Sequence, residues 1–145
     1  MRTSIPLLAM LLFAGCTHPP PGVLTLAPAG MRTAGTCSAH PDGTLSMAAA
    51  ATADATVYVD AGPVTITVTA NAVSTARAAA VEVWFAGATV GRMRVSATEA
   101  RPYAFHAQPR ASGPTALRIG VSSEPEAAAA TAALVDVAKV VITEP

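Results

Sequence analysis

The sequence predicts an all-β protein, an antiparallel β-sandwich of about eight or nine short strands. Three observations predict it. Apolar and polar residues alternate with period two in several segments, most clearly over 64–70, where Val64, Ile66 and Val68 oppose Thr65, Thr67 and Thr69. Such alternation marks a strand with one buried face. Turn signals, among them Pro41-Asp42-Gly43, Ala61-Gly62-Pro63 and Ala86-Gly87, recur between these segments. No helix-period pattern competes over most of the chain.

The first element is an address. Arg2 supplies a short positive region, and Ile5 to Ala14 is an apolar run broken only by Pro6. A bilayer-spanning helix needs about 20 residues, so this run fits the core of a secretory signal instead. It ends in Phe13-Ala14-Gly15-Cys16, which resembles a bacterial lipobox, although Phe13 stands where an aliphatic residue is usual. The resemblance implies cleavage after residue 15 and lipidation of Cys16, with two or more acyl chains giving stable anchoring. The other reading is an ordinary cleaved signal with a chance cysteine; Ala27-Pro28-Ala29 offers a small-residue cleavage match, but far beyond the apolar run and with a proline inside it. Thr17 rather than Asp follows Cys16, and by the sorting rule of the same resemblance this favours the outer membrane of the bacterial envelope. Loss of residues 1–15 from the 145 leaves 130, enough for one domain. Arg2 leaves with the signal, so nine Lys+Arg become eight against nine Asp+Glu, a formal charge of −1. That balance supplies no drive toward nucleic acid. With Cys16 lipidated, Cys37 has no partner within the chain; it is either a small buried hydrophobe or the site of an intermolecular disulfide.

Residues 16–22 form the tether, stiffened toward polyproline II by three consecutive prolines, with His18 in it, and 23–145 form the sandwich domain. Val23-Leu24-Thr25-Leu26 reads as a first edge strand, and 31–43 reads as turn. Strands follow at 44–47, 56–60, 64–70, 80–85, 90–95, around Tyr103 and Phe105, at 117–121, and over the run 134–142, which is apolar on both faces. One stretch favours helix. Over 123–133, Ser123 and Glu126 have capping-box spacing, Pro125 suits an early helical position, and alanines follow. One or two helical turns are expected there.

The order of these strands carries a likeness. The residues in question are 60–70, 81–95, Tyr103-Ala104-Phe105, 115–121 and 134–137. Within 81–95, Val81, Val83, Gly87, Val90, Gly91 and Val95 match a hairpin pattern V-x-V-x-x-x-G-x-x-V-G-x-x-x-V. From Ala53 to Ile142 the chain resembles a jelly-roll carbohydrate-binding module, and within that class the calcium-dependent xylan-binding group. The resemblance implies a jelly-roll fold and polysaccharide binding without catalysis. In that group the loop after the strand at 115–121 carries Asn-Asp and further acids that hold calcium. Here the loop is 122–133, rich in alanine, with only Glu124, Glu126 and Asp136 nearby. Calcium takes six to eight oxygen ligands, several of them carboxylates. No metal site is therefore carried over: calcium is disfavoured and no cofactor is expected. Asp136 matches an aspartate common in the final strand of such modules.

Trp84, the only tryptophan, falls opposite Val81, Val83 and Phe85 in the alternation. If those three are core, Trp84 faces outward, where an indole can stack on a sugar ring. Glu82 shares its face, and Arg92 and Arg94 share it if their strand pairs alongside. These four are the candidate carbohydrate-binding residues. The competing reading covers Trp84 with the N-terminal segment and stacks the arginines over it as surface packing. Tyr58 and Tyr103 are read as core-edge residues. His18, His40 and His106 fall in a tether, a turn and a strand, without metal-ligand spacing, and no nucleophile, base and orienting group converge in the sequence. The chain is thus expected to be a membrane-anchored lipoprotein that binds polysaccharide weakly and is not an enzyme. The alternative is a structural or protein-interaction lipoprotein on the same scaffold.

Overall fold

The computed structural model describes residues 22–74, 78–124 and 133–145. The signal segment, Cys16 and the proline tether up to residue 21 lie outside the described residues. Eleven strands form: β1 (Val23–Leu26), β2 (Arg32–Ala34), β3 (Cys37–Ala39), β4 (Leu45–Ala48), β5 (Thr52–Val59), β6 (Val64–Ala72), β7 (Ala78–Phe85), β8 (Ala88–Val95), β9 (Arg101–Ala107), β10 (Gly113–Glu124) and β11 (Ala133–Thr143). They make two antiparallel sheets. The front sheet has the order β2-β5-β10-β7-β8, and the back sheet the order β3-β4-β11-β6-β9, with β1 also paired to β11. The fold is the expected antiparallel sandwich.

Consecutive strands pair within a sheet only at β3–β4 and β7–β8. Every other connection among the described strands crosses from one sheet to the other. Each sheet is therefore stitched from strands distant in sequence, and the core forms only when both are assembled. The β7–β8 hairpin is the local exception. Its two turn residues, Ala86 and Gly87, have φ of 55° and 82°, positive at both positions as a type I′ hairpin turn requires.

The core lies between the sheets. Val64, Ile66, Val68, Ala70 and Ala72 of β6 face it, alternating with half-buried Thr65, Thr67, Thr69 and Asn71. They meet Leu117, Ile119 and Val121 of β10 and Val81, Val83 and Phe85 of β7. Fully burying one such aliphatic side chain contributes about 1.5–3 kcal/mol, and with Cys37 a free thiol this layer supplies the stability of the described residues.

Two expectations change. The segment 31–43 contains two strands, β2 and β3, each three residues long and largely exposed, so no alternation announced them. The expected cap at Ser123 is instead strand: β10 runs on through Glu124, with Ser123 opposite Ala79 of β7. Pairing to β7 holds the backbone extended there against local helix preference; residues 125–132 lie outside the described residues. In β11, whose run is apolar on both faces, the pairing with β6 slips between Val137 and Lys139, and the pairing with β4 slips between Ala133 and Val135. Each irregularity inserts a residue and reverses the alternation. Leu134, Val135, Val137, Val140 and Ile142 all reach the core in consequence, while Lys139 is exposed.

Candidate functional site

The front sheet turns Val81, Val83 and Phe85 inward, so Ala80, Glu82 and Trp84 point to its outer face. β8 pairs beside β7 with Glu82 opposite Arg92 and Ala80 opposite Arg94, and its pairing slips between Val83 and Trp84, where Thr89 comes opposite the tryptophan. All four residues singled out in the sequence, Trp84, Glu82, Arg92 and Arg94, are therefore brought to one face. Trp84 and Glu82 are partly buried; Arg92 and Arg94 are exposed. Arg92 reaches across β7 and donates from Nη2 to the Ser122 hydroxyl at 2.9 Å.

On the other side of β7 stands β10, whose contribution the sequence did not reveal. Arg118 lies opposite Trp84, and Gly120 opposite Glu82. Beyond β10, β5 places Asp54 opposite Arg118 and Thr52 opposite Gly120, and β2 adds Arg32 opposite Asp54. A row of outward side chains thus crosses the sheet: Arg32, Asp54, Arg118, Trp84, Thr89. Arg118 grips Asp54 with two charge-assisted bonds, Nε to Oδ1 at 2.6 Å and Nη2 to Oδ2 at 3.2 Å. Hydrogen bonding to Asp54, and then its charge, push the Arg118 pKa further up.

Gly120 explains how the indole sits. A Cβ built on Gly120 would lie 2.8 Å from Cζ3 and 3.1 Å from Cη2 of Trp84, and 3.7 Å from Cγ2 of Thr52. The six-membered ring of Trp84 therefore occupies the space that a side chain at 120 would take, lying toward β10 beside Arg118. This arrangement leaves Trp84 part exposed among Glu82, Arg118 and Thr89. A platform of this kind offers an apolar ring with charged hydrogen-bonding groups at its rim, as sugar recognition requires. Tyr58, read as a core-edge residue, is corrected: it is 67% exposed, because β5 turns Val57 and Val59 inward and Tyr58 to the same outer face. Tyr103 is half-buried against the core, as expected.

The back sheet carries a second polar group. His40 Nε2 lies 2.7 Å from Ser46 Oγ, and Ser46 donates to Asp136 Oδ1 at 2.6 Å. Asp136 is opposite both Ser46 and Asn71. In the sequence His40 has a turn position and no metal-ligand partner; the β3–β4 hairpin brings it to Ser46. The serine proton is directed at the carboxylate, so a hydrogen bond between His40 and Ser46 requires the Nε2–H tautomer, with the serine oxygen as acceptor. In a hydrolytic triad the histidine accepts the proton of the serine; here the order is reversed, and the chain ties β4 to β11. Of the acids weighed for calcium, Glu126 lies outside the described residues and Asp136 is engaged by Ser46. Among the described residues no group of three or more His, Cys, Asp or Glu comes together to hold a metal. Cys37 is partly buried against the core and its thiol faces the Ala34 carbonyl at 3.7 Å. Burial raises its pKa.

No protein-family model matches the chain, and no curated protein matches it. Solved structures do. The CBM36-1 domain of a multidomain xylanase from the hindgut metagenome of Trinervitermes trinervoides aligns with a TM-score of 0.70 at 12% identity, covering 86% of this chain and 98% of that one. A carbohydrate-binding module CBM36 solved in complex with calcium and xylotriose gives 0.59 at 15% identity, covering 83% and 97%. The C-terminal CBM6 of a marine laminarinase from Zobellia galactanivorans gives 0.62 at 9% identity, covering 85% and 100%. At these identities the likeness establishes the architecture: the chain folds as a jelly-roll β-sandwich like those carbohydrate-binding modules.

Proposed function

We propose that this chain is a lipid-anchored, non-catalytic polysaccharide-binding protein of the bacterial envelope, with Cys16 carrying the acyl chains and the outer face of the front sheet meeting the polymer. The observation that carries the binding role is Trp84, part exposed over Gly120 and rimmed by Glu82 and Arg118. The shared architecture with solved carbohydrate-binding modules supports it. An exposed aromatic is a large contact surface with few rotatable bonds, so a sugar can dock on it at low entropic cost.

The test is affinity electrophoresis of the full chain through gels containing soluble polysaccharides, wild type against Trp84→Ala, with and without calcium. Retardation by at least one polymer, lost in Trp84→Ala, is the expected result. Free migration of the wild type through every polymer would sink the reading. Binding only with calcium would move the site to the loop at 122–133. Anchoring is tested separately by labelling with a radioactive fatty acid in a bacterial host: wild type is labelled and Cys16→Ser is not. A protein-interaction scaffold, the alternative role, draws on Val23 and Leu24, 65% and 39% exposed on β1, a strand that pairs only with β11 among the described strands. That role predicts a protein partner whose capture survives Trp84→Ala.

A further inference from the structure

Among the described side chains, the outer face of the front sheet carries four arginines, Arg32, Arg92, Arg94 and Arg118, and two acids, Asp54 and Glu82; Glu124 follows at the end of β10, opposite Ala78. The whole chain, by contrast, has nine Lys+Arg and nine Asp+Glu and no net positive charge of its own. The charge on the face is also unevenly distributed. Arg118 is satisfied by both oxygens of Asp54, which leaves Arg32, opposite the same Asp54, without a second carboxylate across from it. Arg92 stands opposite Glu82, but Arg94 stands opposite Ala80. The excess charge thus falls at the two margins, Arg32 on β2 and Arg94 on β8, with the Trp84 platform between them. Four inter-strand spacings of about 4.8 Å separate those strands, roughly 19 Å, and Arg94, opposite Ala80, is offset from the Trp84 row by four residues or about 13 Å along the strand; the resulting diagonal of about 23 Å is a span that several linked sugars cover.

We propose, resting on the polysaccharide reading above, that the polymer bound on this face is acidic, with uronate carboxylates held by Arg94 and Arg32 while a sugar ring lies on Trp84. The side-chain type fits. A guanidinium presents a planar fork of N–H donors that matches a carboxylate in two parallel hydrogen bonds, and a lysine does not. The only lysine in the sequence, Lys139, is on the back sheet. A neutral polymer has no group that would use the marginal charge.

The experiment measures binding of the full chain to four probes at one fixed ionic strength: polygalacturonate, the same polymer methyl-esterified, neutral xylan, and poly-L-glutamate as a polyanion without sugars. Polygalacturonate is expected to bind at least about tenfold more tightly than its ester, as loss of charge-assisted hydrogen bonds implies. Arg94→Ala and Arg32→Ala each weaken it by roughly two- to fivefold, since both groups are solvent-exposed. Lys139→Ala removes the same charge from the back sheet and leaves binding unchanged. Equal or tighter binding of the ester or of xylan would overturn the acidic assignment while leaving the polysaccharide reading standing. Poly-L-glutamate binding as tightly as polygalacturonate, or an equal loss in Lys139→Ala, would overturn it too, because the face would then read charge alone. If no probe binds, the polysaccharide reading itself fails for these polymers and the acidic assignment falls with it. Unchanged tryptophan emission in each variant verifies that the fold is intact.

Discussion

Gly120→Ala is the sharpest test of how the Trp84 platform is built. The new methyl group would sit 2.8 Å from Cζ3 of the indole, whereas carbon atoms rest at about 3.5–4.0 Å. The ring must withdraw by about 0.7 Å or more. Gly120 is not among the residues with positive φ, so alanine is compatible with the backbone, and the substitution gains about 0.4–1 kcal/mol by restricting the unfolded chain. The clash is with the far edge of a side chain that can rotate, so the indole tips away from β10. If about 50 Å² of its apolar surface returns to water, the cost is about 1.2 kcal/mol at 25 cal/mol per Å². The two terms nearly cancel, and stability alone is a poor readout. Fluorescence is a good one, because Trp84 is the only tryptophan in the sequence. The variant is expected to show red-shifted emission and faster acrylamide quenching, together with weaker polysaccharide retardation. Unchanged emission and quenching, accompanied by a stability gain of the full alanine size, would refute the placement of the ring over Gly120.

Other consequences are equally direct. Ala86 holds a φ of 55° in the β7–β8 turn, a region that costs an ordinary L-residue about 1–2 kcal/mol and that asparagine tolerates; Ala86→Asn should raise stability by about 0.5–1 kcal/mol, read as a higher urea midpoint with an unchanged slope. Asp42 accepts the Thr44 N–H at 3.0 Å, and that bond above all holds its pKa below the ordinary 3.8. A folded pKa below the unfolded one means stability that is present above about pH 4 and lost as pH falls through the folded value; Asp42→Ala should flatten that part of an acid-unfolding profile, and an unaltered profile would show that the bond contributes nothing. Burial raises the Cys37 thiol pKa, so alkylation at pH 8 should be markedly slower in the native protein than in urea, and equal rates would contradict the packing of β3 against the core.

What was legible in the sequence depended on whether an element's signal is local. The alternation of β6 is carried by its own nine residues, and the β7–β8 hairpin by the Ala86-Gly87 turn between its strands. That hairpin, with the alternation of Val81, Val83 and Phe85 along β7, puts Trp84, Glu82, Arg92 and Arg94 on one face without knowledge of the rest of the fold. The sequence likewise determined which segments are β, the near-neutral charge and the lipobox-like segment ending at Cys16. It left the bulges of β11 unread, because a bulge changes the phase of a pattern without any residue type announcing it, and it misjudged 123–124, because pairing with β7 outweighs local helix preference. The tertiary structure decided the other half of the face. β10 lies between β5 and β7, and the chain crosses between sheets at nearly every connection, so Arg118, Asp54 and Arg32 reach Trp84 from strands with no sequence proximity to it. The role of Gly120 was hidden for the same reason. A glycine in a strand says that something comes close, but only the assembled sheet shows that the indole of Trp84 is what comes.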